Sequence, residues 1–246
     1  MSRQTIRNLS AHAATHVGLV RAGNEDSVHC GTVVFTVADG LGGHAAGEVA
    51  SQLAVESLAA VDPTARGDIQ GAQETLAEAV REANRVVHAA AQDDPSRAGM
   101  GTTLTAAVVH EGQAALAHVG DSRAYLHRAG DLRQLTKDHT AAQEAVDAGH
   151  LTPEQAAHHP ERHALARAVG LGAEVEVDTP PPLRLEAGDR LLLCSDGLID
   201  PVSDEAIGRI LEDHPEPAQA CDALVQAALD GGGPDNVTVL VVRVDA

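Results

Sequence analysis

Aromatic side chains are almost missing from this chain, whose 246 residues include no tryptophan, one tyrosine and one phenylalanine. Its core therefore has to be packed from Val, Leu, Ile and much alanine, which draws helices and sheets close together. Lysine is just as scarce: Lys137 stands alone, and every other basic residue is an arginine. No glycine-rich loop precedes Leu135-Thr136-Lys137-Asp138, so a nucleotide-hydrolysing P-loop is excluded. The three cysteines, Cys30, Cys194 and Cys221, are too few and too scattered for a disulfide scaffold or a zinc ribbon. A reducing, cytoplasmic setting is the expectation. No apolar run approaches bilayer width, and no signal-peptide core follows Met1, so no membrane contact is expected of this chain. Positive charge is short as well, with 17 Lys and Arg against 36 Asp and Glu, a net −19. Such a surface repels nucleic acid and anionic lipid. It suits a carboxylate-rich site.

Short β-branched runs bounded by Gly, Asp or Asn dominate what is present. Residues 33–38, 103–109, 114–119, 124–127, 190–194 and 237–242 read as strands, and Ala129-Gly130-Asp131 reads as a hairpin turn. Apolar residues at helical spacing predict helices over 47–60 and 68–91, the second stopped by Asp93-Asp94-Pro95, and two more over about 204–211 and 217–229. Residues 139–170 are polar, histidine-rich and helix-prone, with Thr152-Pro153 as a helix start, and read as an inserted lid. Strand groups set between helix pairs argue for mixed or antiparallel sheets covered by helices.

Acidic residues recur where these strands begin or end. Asp39-Gly40, Gly120-Asp121, Ser195-Asp196-Gly197 and Asp235-Asn236 each abut a predicted strand, and Glu25-Asp26 follows an N-terminal segment. Any one of them is ordinarily a turn. Together, at one edge of a sheet sandwich, they would crowd like charges, which proteins tolerate by shifting pKa or by binding cations. The donors are all oxygen, which suits Mg²⁺ or Mn²⁺ rather than Zn²⁺. Two such ions would serve phosphoryl chemistry. Cys194 does not offer a cysteine-phosphatase alternative, because that chemistry wants an arginine six positions on, where Asp200 stands. Adjacent His158 and His159 do not share a helix face and read as solvated.

The motifs around these residues resemble the metal-dependent, type 2C Ser/Thr protein phosphatases of bacteria. The likeness runs in family order through residues 17–27, 38–48, 100–106, 119–125, 135–139, 193–198 and 233–239. It implies an α+β fold, an α-β-β-α sandwich of two mostly antiparallel sheets flanked by helix pairs, as one catalytic domain over 1–246 with a helical flap at about 139–170. It also implies a two-metal centre of Mn²⁺ or Mg²⁺. Asp39 would bridge the ions, the Gly40 carbonyl would hold the second, and Asp196 and Asp235 the first. Asp121, with Asp196, would hold a third. Glu25, Asp26 and Asn236 would support them. Arg21 matches the family's phosphate-binding arginine, and His44 stands in the segment that carries a proposed general acid. In the flap, His163 and Ala166 replace the more usual Asn and Thr. The implied activity is hydrolysis of phosphoserine and phosphothreonine proteins by a water between the ions, with no phosphoenzyme, opposing a Ser/Thr kinase. A monomer is expected. The alternatives are an idle phosphoprotein-binding scaffold and a small-molecule phosphomonoesterase.

Overall fold

The computed structural model describes residues 9–42 and 45–245. In chain order the N-terminal half holds β1 (Leu9–His16), β2 (Asp26–Cys30), β3 (Val34–Leu41), α1 (Ala45–Ala59), α2 (Ile69–Asp93), β4 (Gly101–Thr102), β5 (Leu104–His110) and β6 (Gln113–Val119). The rest holds β7 (Arg123–Arg128), β8 (Asp131–Gln134), α3 (Ala141–Asp147), α4 (Pro153–Ala157), β9 (Leu183–Arg184), β10 (Arg190–Cys194), α5 (Asp196–Ile199), α6 (Asp204–Asp213), α7 (Pro217–Asp230) and β11 (Val237–Val244). One sheet runs β1-β11-β10-β7-β8 and the other β2-β3-β5-β6-β9, with β4 added against β3. Every strand pairing is antiparallel.

Period-two alternation sorts the side chains into three apolar layers. Phe35 and Val37 of β3 meet Leu191 and Leu193 of β10 and Leu240 and Val242 of β11 between the sheets. Val34, Ala38, Ala106 and Val108 face the opposite way, onto α1 and α2. Leu192, Val239 and Val241 face Ile207, Leu211 and Leu224 of α6 and α7. Alanine does much of the helix packing, as in Ala50, Ala54, Ala72 and Ala83, all fully buried. Two aromatic residues suffice because small side chains let the layers approach.

The expected α-β-β-α sandwich is therefore present, and the differences are local. The predicted strand 103–109 starts one residue late, because Thr103 breaks the ladder between β4 and β5 to bond Asp39 and Ser122. β1 and β2 carry no strand signal in the sequence, since β1 is rich in Ala and His, β2 is the short polar run Asp-Ser-Val-His-Cys, and both are mostly half-buried. The flap contains two short helices, with a full capping box between Thr152 and Gln155 at the start of α4. Its far end is tied to α2 through buried Asn84, whose side chain accepts from Gly170 N at 2.7 Å and donates to Gly172 O at 2.9 Å.

Candidate metal centre

Asp39 follows Phe35 and Val37 by one more alternation, so it points between the sheets at the end of β3. Asp26 is its register partner on β2 and shares that face. From the other sheet, Ser195 at the end of β10 donates through Oγ to Asp26 Oδ2 at 2.8 Å and accepts from Thr238 N at 2.9 Å. That contact closes the sandwich behind the site. Asp196 opens α5, Asp121 follows β6 and Asp235 precedes β11, all at the same end of the sheets.

These side chains line one cleft of about 700 Å³. Arg21, Glu25, Asp39, Gly40, Asp121, Asp196 and Asp235 form its floor and walls, and Arg162 and His163 of the flap border it. Asp26 and Asn236 stand behind it. Asn236 accepts from Glu25 N at 2.7 Å and donates to Val17 O and Gly23 O, both at 2.9 Å, which fixes the loop bearing Arg21 and Glu25. Asp39 is held by its backbone: its N–H donates to Thr103 Oγ1, and its carbonyl accepts from Thr102 Oγ1 and Thr103 N, each at 2.9 Å. Gly40 has no alternative residue, since a Cβ there would lie 2.2 Å from Gly47 O and 2.6 Å from Glu25 O. The Asp-Gly pair is thus a close-packing requirement as well as a turn signal.

Burial dominates the electrostatics. It pushes the Asp39 carboxyl well above the ordinary range, with Asp26, Asp196 and Asp121 adding repulsion. Burial likewise raises Asp121 to about 8, with Asp196 and Asp138 adding to it. Asp26 rises to about 7, despite hydrogen bonds from Thr238 and Ser195 that favour its ionised form. Asp196 rises to about 6, held down in part by a hydrogen bond shared with Asp39. Asp196 Oδ1 is closed off from water and has no hydrogen-bond partner. A repelling, all-oxygen cluster with such an orphaned acceptor fits hard divalent cations, which would satisfy the oxygen and cancel the repulsion.

Arg21 is not poised alone over the cleft, because its Nη2 donates to Asp235 Oδ2 at 2.6 Å. His44 lies outside the described residues. Cys194 is fully buried with its thiol pushed up to about 12, so it is no nucleophile. The reading from sequence overlooked Asp200, which also lines the cleft. Its signal was available: Asp196 and Asp200 are four residues apart across one short helix, a spacing that puts both on one face.

The profile described as Protein phosphatase 2C matches residues 21–230. Serine/threonine protein phosphatase PstP of Mycobacterium tuberculosis is 51% identical over 227 residues, covering 92% of this chain but 43% of its own length. This chain thus spans less than half of that relative. Serine/threonine phosphatase stp of Listeria monocytogenes is 37% identical, covering 96% of both chains. A crystal structure of the PstP catalytic domain with two manganese ions superposes with a TM-score of 0.87 at 48% identity, over 97% of this chain and 99% of that one. Shared sequence and shared three-dimensional course agree, and the chain belongs to the protein phosphatase 2C family.

Proposed function

We propose that this chain is the catalytic domain of a metal-dependent phosphatase that hydrolyses phosphoserine and phosphothreonine in proteins without a phosphoenzyme. The observation that carries the reading is the convergence of Asp39, Asp121, Asp196 and Asp235 on one cleft, with Asp196 Oδ1 buried and unpartnered. In this reading Asp39 would bridge two Mn²⁺ or Mg²⁺ ions, the Gly40 carbonyl would hold the second, and Asp196 and Asp235 the first, while Asp121, with Asp196, would hold a third. Such ions activate water toward phosphorus and neutralise the phosphoryl oxygens.

The chain's own residues do the rest. Arg21, half-exposed at the cleft's edge, presents a planar fork suited to phosphate oxygens, and its bond to Asp235 keeps it at the reacting end. Asn236 holds that loop in register, while Asp26 and Glu25 support the floor. With Cys194 buried, the chemistry falls to water. His44 is the proposed proton donor to the departing serine oxygen. If so, His44→Gln costs roughly 10²-fold on a phosphoserine peptide and far less on para-nitrophenyl phosphate, whose leaving group needs no proton. Equal losses on the two substrates would remove it from that role.

The substrates we propose are phosphoproteins made by an opposing Ser/Thr kinase, chosen with help from the flap over 139–170. Residues 1–246 act as one domain and as a monomer. The free thiols of Cys30, Cys194 and Cys221 suit a cytoplasmic location, and no helix among the described residues is long and apolar enough to cross a membrane. The test is hydrolysis of para-nitrophenyl phosphate with and without Mn²⁺, then a phosphopeptide panel. No Mn²⁺-dependent turnover would overturn the reading. Turnover of the small ester alone would favour the phosphomonoesterase.

A further inference from the structure

His163 stands where the flap meets the carboxylate cluster, and its two ring nitrogens face different carboxylates. Nδ1 lies 3.8 Å from Asp196 Oδ2, and Nε2 lies 3.4 Å from Asp200 Oδ2. Donor atoms of Asp121, His163 and Asp196 all fall within 4.8 Å of one another. Two ligands bound to one ion at roughly 2.0–2.2 Å sit about 3–4 Å apart, so the Nδ1 to Asp196 spacing already suits a shared ion. The other oxygen of the same carboxylate, Asp196 Oδ1, is buried and unpartnered, a second sign that this carboxylate is built to meet a cation. The opposite nitrogen fits too. A metal-ligating histidine usually gives its other N–H to a carboxylate, which fixes the tautomer and the plane of the ring. Asp200, one helical turn after Asp196, occupies that place.

We infer that His163 is an imidazole ligand to the ion held by Asp121 and Asp196, with Asp200 orienting its ring, and that this position selects Zn²⁺ or Mn²⁺ over Mg²⁺. The inference rests on the proposed metal-dependent reading of the cleft and adds a nitrogen donor to it. Imidazole strengthens binding of transition-metal ions, whereas Mg²⁺ prefers oxygen ligands and retains water. Because His163 belongs to the flap while Asp121 follows β6 of one sheet and Asp196 follows β10 of the other, the bound ion also pins the flap against the sandwich. Occupancy of this position and flap closure then favour each other.

The competing account makes His163 a counter-cation for Asp196 and Asp200. The two predict opposite signs. A ligand helps the ion bind, while a positively charged imidazole competes with it. Zn²⁺ and Mg²⁺ are titrated separately into the full chain by calorimetry, comparing wild type with His163→Asn and Asp200→Asn. We expect His163→Asn to weaken one Zn²⁺ per chain at least about tenfold with Mg²⁺ unchanged, and Asp200→Asn to weaken the same Zn²⁺ roughly tenfold. In ¹⁵N spectra of the wild type, the Nδ1 signal assigned through its loss in His163→Asn shifts on adding Zn²⁺, a readout independent of turnover. Unchanged or tighter Zn²⁺ binding by a folded His163→Asn, or an Nδ1 signal unmoved by Zn²⁺, overturns the inference. Wild type that turns over with Mn²⁺ while showing either result loses the His163 ligand alone. Wild type that binds no divalent ion at all overturns this inference and the proposed function together.

Discussion

Asp39 meets conflicting demands that its own substitution separates. Its carboxyl is raised by burial and by three neighbouring carboxylates, so in metal-free protein it is a liability that a cation relieves. Asp39→Asn keeps the shape and removes the charge. We expect a loss of at least about 10²-fold in turnover at saturating Mn²⁺, the order seen when one transition-state stabilising group is removed, together with a higher melting temperature in chelator. Turnover near wild type would refute the bridging role. Arg21 invites a different comparison. Arg21→Ala should raise KM for a phosphate ester more than it lowers kcat, and Arg21→Lys should restore little, because an ammonium cannot reproduce the fork. Steady-state kinetics of the two variants check this, and an unchanged KM in Arg21→Ala would take the arginine off the phosphate.

Elements act by bringing such residues to one place, and the contacts holding them are few and specific. The end of the flap reaches α2 through Asn84, 1% exposed, which both accepts from Gly170 N and donates to Gly172 O. Asn84→Ala leaves the buried Gly170 N–H without its partner. It should cost about 1–3 kcal/mol in urea unfolding, the range for an orphaned buried polar group. A loss of only a few tenths of a kcal/mol would show that water replaces the side chain. The six long runs are legible in the sequence as continuous apolar, β-branched stretches, because both faces of the central strands lie in apolar layers. β1 is not legible for the opposite reason: its residues are half-buried or, at His12 and Thr15, exposed, and only pairing with β11 makes it a strand.

Across the whole molecule, the acidic cluster and the buried histidines set opposite pH dependences. Asp26, held up at about 7, and Asp121, at about 8, bind protons in the folded chain that the unfolded chain, with carboxyls near ~3.9, has already lost. Stability contributed by these protons is present at low pH and disappears as pH rises through the folded values. His118, fully buried and pushed down to about 4 by burial and by His139, does the reverse, costing stability as pH falls below ~6.5. Above that pH the histidine is neutral in both states and the carboxylates act alone. Melting temperature in chelator should therefore fall from pH 6.5 to 8, and Mn²⁺ should flatten or reverse the slope. A rise with pH in chelator would contradict the cluster's electrostatics.

Much of this chain is legible in local pattern, because an aspartate at a strand end is a property of neighbouring residues. Asp39, Asp121 and Asp196, each beside a glycine, and Asp235, before the final strand, are marked in that way, whereas the sandwich that aligns them is implied by the resemblance of the ordered motifs to a known family. Folding decided which atoms meet. The 1.9 Å that would separate a Cβ at Gly197 from Asn236 O, the Arg21–Asp235 bond, and the approach of His163 to Asp196 and Asp200 join residues far apart in the chain. No periodicity encodes those contacts. They follow from closing two sheets on each other, which fixes distances between strand ends that the order of residues leaves free.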